Sequence, residues 1–112
     1  MIVYHATTSA ETLKSILAQG FRDTVGRYGV MMQLPGVWLS DRPLMAGDGG
    51  LSGSEPLIRL EVPEDVIRQY EWVNEGGTYR EWFVPAAVLN RFAREFVGDA
   101  LDELARMDRP GN

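Results

Sequence analysis

A chain of 112 residues, 45% apolar and 24% charged, has the ordinary balance of a globular protein and room for one modest core rather than two. It has no cysteine, which removes disulfides and thiolate metal sites, and no apolar run approaching the roughly 18 residues of a bilayer span. A net charge of −5 argues against extended nucleic-acid binding, though a local basic site is possible because all but one of the eleven cations are arginine.

Residues 2–5 are β-branched or aromatic and predict a short strand ending in the only histidine, His5. Thr8 and Glu11 have capping-box spacing, Leu13, Ile16 and Leu17 share a helical face, and Gly20 suits a helix end. A helix is therefore predicted over about 9–19. Residues 22–35, with Arg22, Arg27, Tyr28 and the Met31-Met32 pair, read as irregular. Pro35-Gly36 reads as a turn and residues 37–40 as a strand, with a short helix compatible after Asp41. Residues 47–54 are glycine- and serine-rich and read as a flexible loop.

Residues 57–62 predict a strand, and Pro63 with Glu64 and Asp65 starts a helical turn. Residues 70–73 and 78–84 predict two strands that pair as a hairpin about the turn at 74–77. From Pro85 to Met107 the apolar spacing suits an amphipathic helix interrupted near Gly98. The expectation is one α+β domain over 1–107 and a disordered tail over 108–112. The opening residues lack the basic start and apolar stretch of a signal peptide, and the expected setting is cytoplasmic, with no membrane partner.

A lone histidine without cysteine partners makes a poor zinc site, and no Gly-x-Ser-x-Gly elbow supplies a serine nucleophile. No metal is expected. Glu81 lies among aromatics, where apolar surroundings would tune a carboxylate's basicity. Trp38 offers a flat face for a planar heterocycle, although a tryptophan in such a strand is more often core.

Three blocks in order carry a resemblance. They are Tyr4-His5-Ala6-Thr7-Thr8-Ser9 with the helix running to Gly20-Phe21-Arg22, then Gly36-Val37-Trp38-Leu39-Ser40-Asp41, then Tyr79-Arg80-Glu81-Trp82-Phe83-Val84. Together they resemble the catalytic domain of the diphtheria-toxin-like and poly-ADP-ribose-polymerase-like ADP-ribosyltransferases, of the His-Tyr-Glu type with Trp38 in the tyrosine position. The resemblance implies two small antiparallel sheets around an NAD⁺ cleft with flanking helices. His5 would hold the adenosine ribose, and the backbone of Ala6, with Thr7 beside it, would grip the nicotinamide carboxamide. Trp38 and Ser40 would line the cofactor site, Arg22 or Arg27 would meet the pyrophosphate, and Tyr79 would contact the acceptor. Glu81 would stabilise the charge that grows as nicotinamide leaves.

The expected activity is mono-ADP-ribosyl transfer from NAD⁺, the donor substrate, to a macromolecular acceptor, a protein first, as in a toxin or effector. The alternatives are NAD⁺ hydrolysis and a non-catalytic binding module of the same fold. Two departures stand out: Ala6 replaces the family's glycine and Trp38 its tyrosine.

Overall fold

The computed structural model describes residues 1–28, 32–47, 51–73 and 77–107. The calls on Met31, on the tip of the 74–77 turn, on the middle of the 47–54 loop, on the side chain of Arg27 and on the 108–112 tail lie outside the described residues.

Strand β1 (Ile2–Ala6) leads into α1 (Ala10–Gln19), followed by β2 (Thr24–Tyr28) and β3 (Met32–Ser40). Then come β4 (Leu57–Glu61), α2 (Glu64–Ile67) and a 3₁₀ turn over 68–70, and β5 (Glu71–Trp72). Strand β6 (Glu81–Val84), α3 (Ala86–Leu89), β7 (Arg94–Phe96) and α4 (Ala100–Met107) are the last of the described elements. This is an α+β architecture. No helix among the described residues is long and apolar enough to cross a membrane.

Among the described residues, six strands follow one antiparallel path, β5-β6-β3-β1-β4-β7, and β2 pairs off that path with β3. β1 matches β4 over five residues, from Ile2 opposite Glu61 to Ala6 opposite Leu57. Against β3 it makes a single rung, Tyr4 opposite Ser40. One hydrogen-bonded path thus joins strands expected to divide into two sheets, and it nearly parts at its centre.

Alternation sends Val3, Val37, Leu39, Ile58, Leu60, Trp82 and Val84 into one core beneath α1 and α3. Tyr4, Leu57 and Ala100 form a smaller cluster on the other face, under α4. Helix α1 is capped by Ser9, whose Oγ accepts from Thr12 N at 3.1 Å, rather than by Thr8. It ends at Gly20, whose φ of 94° lies where side chains are strained. Asn90 then brackets Phe21, accepting from its N–H at 2.7 Å and donating to its carbonyl at 3.0 Å.

Several local expectations give way to long-range pairing. Part of the region expected to be irregular is the β2–β3 hairpin, and Pro35 sits inside β3, opposite Val25. Proline is tolerated there because β6 joins β3 only from Val37 onward, leaving the other side an edge. Among the described residues 41–47 there is no helix after Asp41. Tyr70 belongs to the 3₁₀ turn, and residues 78–80 precede β6 rather than extend it.

The tail helix expected from Pro85 to Met107 with a break near Gly98 is instead α3, β7 and α4, and the break at Gly98, whose φ is 89°, falls just before α4. The outer edge of β4 takes Arg94–Phe96 as a partner strand, with Ile58 opposite Phe96. A reciprocal cap between Asp99 and Asp102 (2.9 and 3.2 Å) then starts α4 afresh.

Helix α4 is fastened by a buried carboxylate. Glu103 accepts from Tyr4 Oη at 2.7 Å and from Arg106 Nε and Nη2 at 2.7 and 3.0 Å. Burial, then the bond to Glu103, pushes the Tyr4 phenol up to about 12. Tyr4→Phe removes one donor from this buried charge and should cost about 1.5–3 kcal/mol, read as a lower urea midpoint. An unchanged midpoint would mean that Arg106 carries the carboxylate without the phenol.

Candidate active-site cleft

The site begins with the direction of the β1 backbone. Thr7 N donates to Pro56 O at 2.9 Å, and Met1 exchanges bonds of 2.8 and 2.9 Å with Val62. Odd-numbered residues of β1 therefore turn their peptide groups toward β4, and even-numbered ones toward β3. After the rung at Tyr4 and Ser40, the next would join Ala6 to Trp38. The ladder stops instead, and the Trp38 carbonyl accepts from His5 Nδ1 at 2.8 Å. The N–H and C=O of Ala6 face the gap that results.

That bond also fixes the imidazole. A carbonyl only accepts, so Nδ1 carries the proton and Nε2 of the neutral ring is an acceptor. Burial lowers the His5 pKa below its ordinary value, and the Trp38 carbonyl only partly opposes this. Phe21 meets the ring edge-on at a centroid distance of 5.4 Å.

Two adjoining hollows meet at His5. The larger, about 650 Å³, is lined by His5, Ala6, Trp38, Ser40, Tyr79 and Glu81, together with Leu44 and Leu51. The smaller, about 360 Å³, includes His5, Thr12, Phe21, Arg22 and Thr24. Both fall within the size range of small-molecule sites.

Partners across an antiparallel ladder share a face, so Ser40, Glu81 and Trp72 stand side by side across β3, β6 and β5. Trp38 and Phe83 form the next row, ring centroids 4.7 Å apart. Glu81 is half-buried, and burial raises its carboxyl above the usual carboxylate range. Ser40 is 5% exposed and donates to Arg42 O at 2.7 Å, so its hydroxyl braces the turn while its oxygen remains an acceptor.

The peptide preceding Glu81 is held firmly. Arg80 N donates to Asp41 Oδ1 at 2.9 Å, and Asp41 N donates to Arg80 O at 3.0 Å. The Arg80 side chain forks onto Glu71 (2.8 and 3.1 Å) and reaches Glu64 at 2.9 Å.

The cleft thus gathers His5, Ala6, Trp38, Ser40, Tyr79 and Glu81. Thr7 is not among its lining residues: it is 1% exposed, and its N–H and hydroxyl both donate to Pro56 O. Odd-numbered positions of β1 face β4, which is why Thr7 supports the cleft from behind. Arg22 lines the smaller hollow and donates to Gln19 Oε1 at 3.1 Å, so it stands beyond His5 and away from Glu81.

Sequence reasoning missed Arg42, whose guanidinium lies over the Tyr79 ring at 5.4 Å and donates to Thr78 Oγ1 at 2.9 Å. It also missed Trp72 as a neighbour of Glu81. The hairpin pairing was the available signal. Among the described residues, no group of three His, Cys, Asp or Glu side chains could hold a metal ion. No family model matches the chain, and neither a curated protein nor a solved structure matches it.

Proposed function

We propose that the chain is an NAD⁺-dependent mono-ADP-ribosyltransferase of the His-Tyr-Glu type. In this reading the two halves of the sheet, β5-β6-β3 and β1-β4-β7, are the two small sheets of an ADP-ribosyltransferase-like fold. One observation carries the proposal: where β1 and β3 part, the peptide groups of Ala6, an acceptor nitrogen of His5, the Trp38 face and the Glu81 carboxylate border one cleft.

Each group then has a chemical task. The gap-facing N–H and C=O of Ala6 match the acceptor and donor of a carboxamide. Trp38 stacks on the nicotinamide ring. His5 Nε2 accepts from a ribose hydroxyl of the adenosine half, which lies toward the smaller hollow and Arg22. Glu81 faces the nicotinamide ribose. As the C1–N bond breaks, its electron pair leaves with nicotinamide and positive charge grows on the ribose. A preoriented carboxylate stabilises that charge far better in the transition state than in the ground state.

Thermal unfolding with millimolar NAD⁺ tests the reading at low cost. At ~100 times its dissociation constant the ligand should add about 2.7 kcal/mol and raise the Tm by several degrees. His5→Ala should remove that shift. The pH dependence has a definite sign: His5 titrates below its ordinary 6.5, so the Nε2 acceptor persists through that pH. NAD⁺ protection should stay flat down to about 6.5 and decline only beneath it. No shift at saturating NAD⁺, or a shift retained in His5→Ala, would overturn the assignment.

A further inference from the structure

Resting on the reading of the cleft as an NAD⁺ site, we infer that the Thr12 hydroxyl holds the pyrophosphate of the dinucleotide at the waist between the two hollows. The resemblance gives that task to an arginine. The inference comes from which side chains border both hollows, and from which of them still has a proton to donate.

Three residues line the larger and the smaller hollow alike: His5, Thr12 and Thr24. They form the waist that a ligand occupying both hollows must cross. In the proposed pose the nicotinamide ribose lies on the Glu81 side and adenosine lies toward Arg22. The pyrophosphate joins those two halves, so it falls at the waist. Its oxygens carry negative charge and no proton near neutral pH, and they need donors.

Of the three side chains, two have none left. His5 gives its Nδ1–H to the Trp38 carbonyl, and its Nε2 would meet a phosphate oxygen acceptor to acceptor. Thr24 donates its hydroxyl proton to Gly36 O at 3.1 Å. Thr12 differs. Its Oγ1 lies 3.3 Å from Thr8 Oγ1 and 3.1 Å from Ser9 Oγ. Three hydroxyls carry three protons, and these two contacts use only two of them. When Thr8 and Ser9 both donate inward, the Thr12 proton is the one left over. The two bonds that Thr12 then accepts strengthen the one it gives.

The flanks agree with this placement. Thr8 lines the larger hollow beside Thr12 and adds a second hydroxyl on that side. Arg22 lines only the smaller hollow, where it donates to Gln19 Oε1 at 3.1 Å, so it stands at the adenosine end. Glu11 lines that same smaller hollow, and its charge opposes a phosphate there. The pyrophosphate also lies away from the bond that breaks. Its contacts are therefore equally strong in the ground and transition states, and losing one raises KM while sparing kcat.

The test follows NAD⁺ consumption by the full chain in the parent, Thr12→Val and Thr12→Ser, with and without added nicotinamide. Valine keeps the shape of threonine without the hydroxyl, and serine keeps the hydroxyl. Thr12→Val should raise the KM for NAD⁺ about ten-fold or more, the usual effect of losing one donor to a charged group, with kcat within about two-fold of the parent. Thr12→Ser should stay within about three-fold of the parent KM. Nicotinamide, which has no phosphate, should inhibit all three equally. An unchanged KM in Thr12→Val, an equal rise in both variants, or a loss of kcat larger than the rise in KM overturns this inference while leaving NAD⁺ cleavage standing. If NAD⁺ neither shifts the Tm of the parent nor yields nicotinamide, the underlying function fails, and the pyrophosphate assignment with it.

Discussion

Glu81→Gln is expected to slow nicotinamide release about 10²–10³-fold while leaving the Tm unchanged or higher. In the proposed reaction the amide would fill the same space and reach the same ribose, but it could not supply the negative charge that the transition state would require. The stability half of the prediction follows from linkage. Burial raises the Glu81 pKa in the fold above its unfolded value. The folded state therefore binds the proton more tightly, and that favourable contribution is present at low pH and lost as pH rises through the folded pKa. At neutral pH the ionised carboxylate is a mild liability to the fold, and a neutral amide removes it. Melting curves and steady-state release on the same preparations check both halves. A variant that melts well below the parent would make any lost activity a folding effect, and one that retains full turnover would remove Glu81 from the chemistry.

The second large effect sits directly beneath the site. Trp82 follows Glu81 on β6, points to the opposite face and is fully buried among Val3, Leu39 and their neighbours. Trp82→Ala should cost about 3–5 kcal/mol, a large part of the ~5–15 kcal/mol that holds a domain of this kind together. A Tm lower by about 15 °C or more would follow. Trp82→Phe should behave differently. Among the described residues the buried indole Nε1–H has no hydrogen-bond partner, and a stranded donor costs about 1–3 kcal/mol. Phenylalanine gives up packing volume but also removes that donor, so its net cost should stay under about 1.5 kcal/mol. Equal losses in both variants, measured by urea denaturation, would show that packing volume alone governs this position.

What the sequence disclosed depended on how far each signal reached along the chain. Strand β1, helix α1 and the Gly20 stop are written in local periodicity and capping, and these elements stand where expected, with the cap moved from Thr8 to Ser9. Strands β2 and β7 are edge strands whose pairing lies in other segments, and their residues read as irregular chain and as helix. Period and propensity carry no information about a distant empty edge. The same divide runs through the cleft. His5, Trp38 and Glu81 stand out as unusual side chains in short ordered blocks, and they border one cavity. The value of Ala6 lies in which way its peptide groups turn, and that follows only from the register with β4. Thr7, next to it, looks equivalent in sequence and faces the other way. Arg42 and Trp72 come to Glu81 through the Asp41–Arg80 bonds and the β5–β6 pairing, which no linear motif records.

The sparse seam between β1 and β3 has a mechanical consequence. Two half-sheets tied there by one rung and one imidazole bond are a pair of jaws with a narrow hinge. A dinucleotide seated between them would supply cross-links that the polypeptide itself omits. Bound substrate would then act as a splint, stiffening the very joint it occupies, and departure of nicotinamide would take out a strut just as the acceptor's turn arrives.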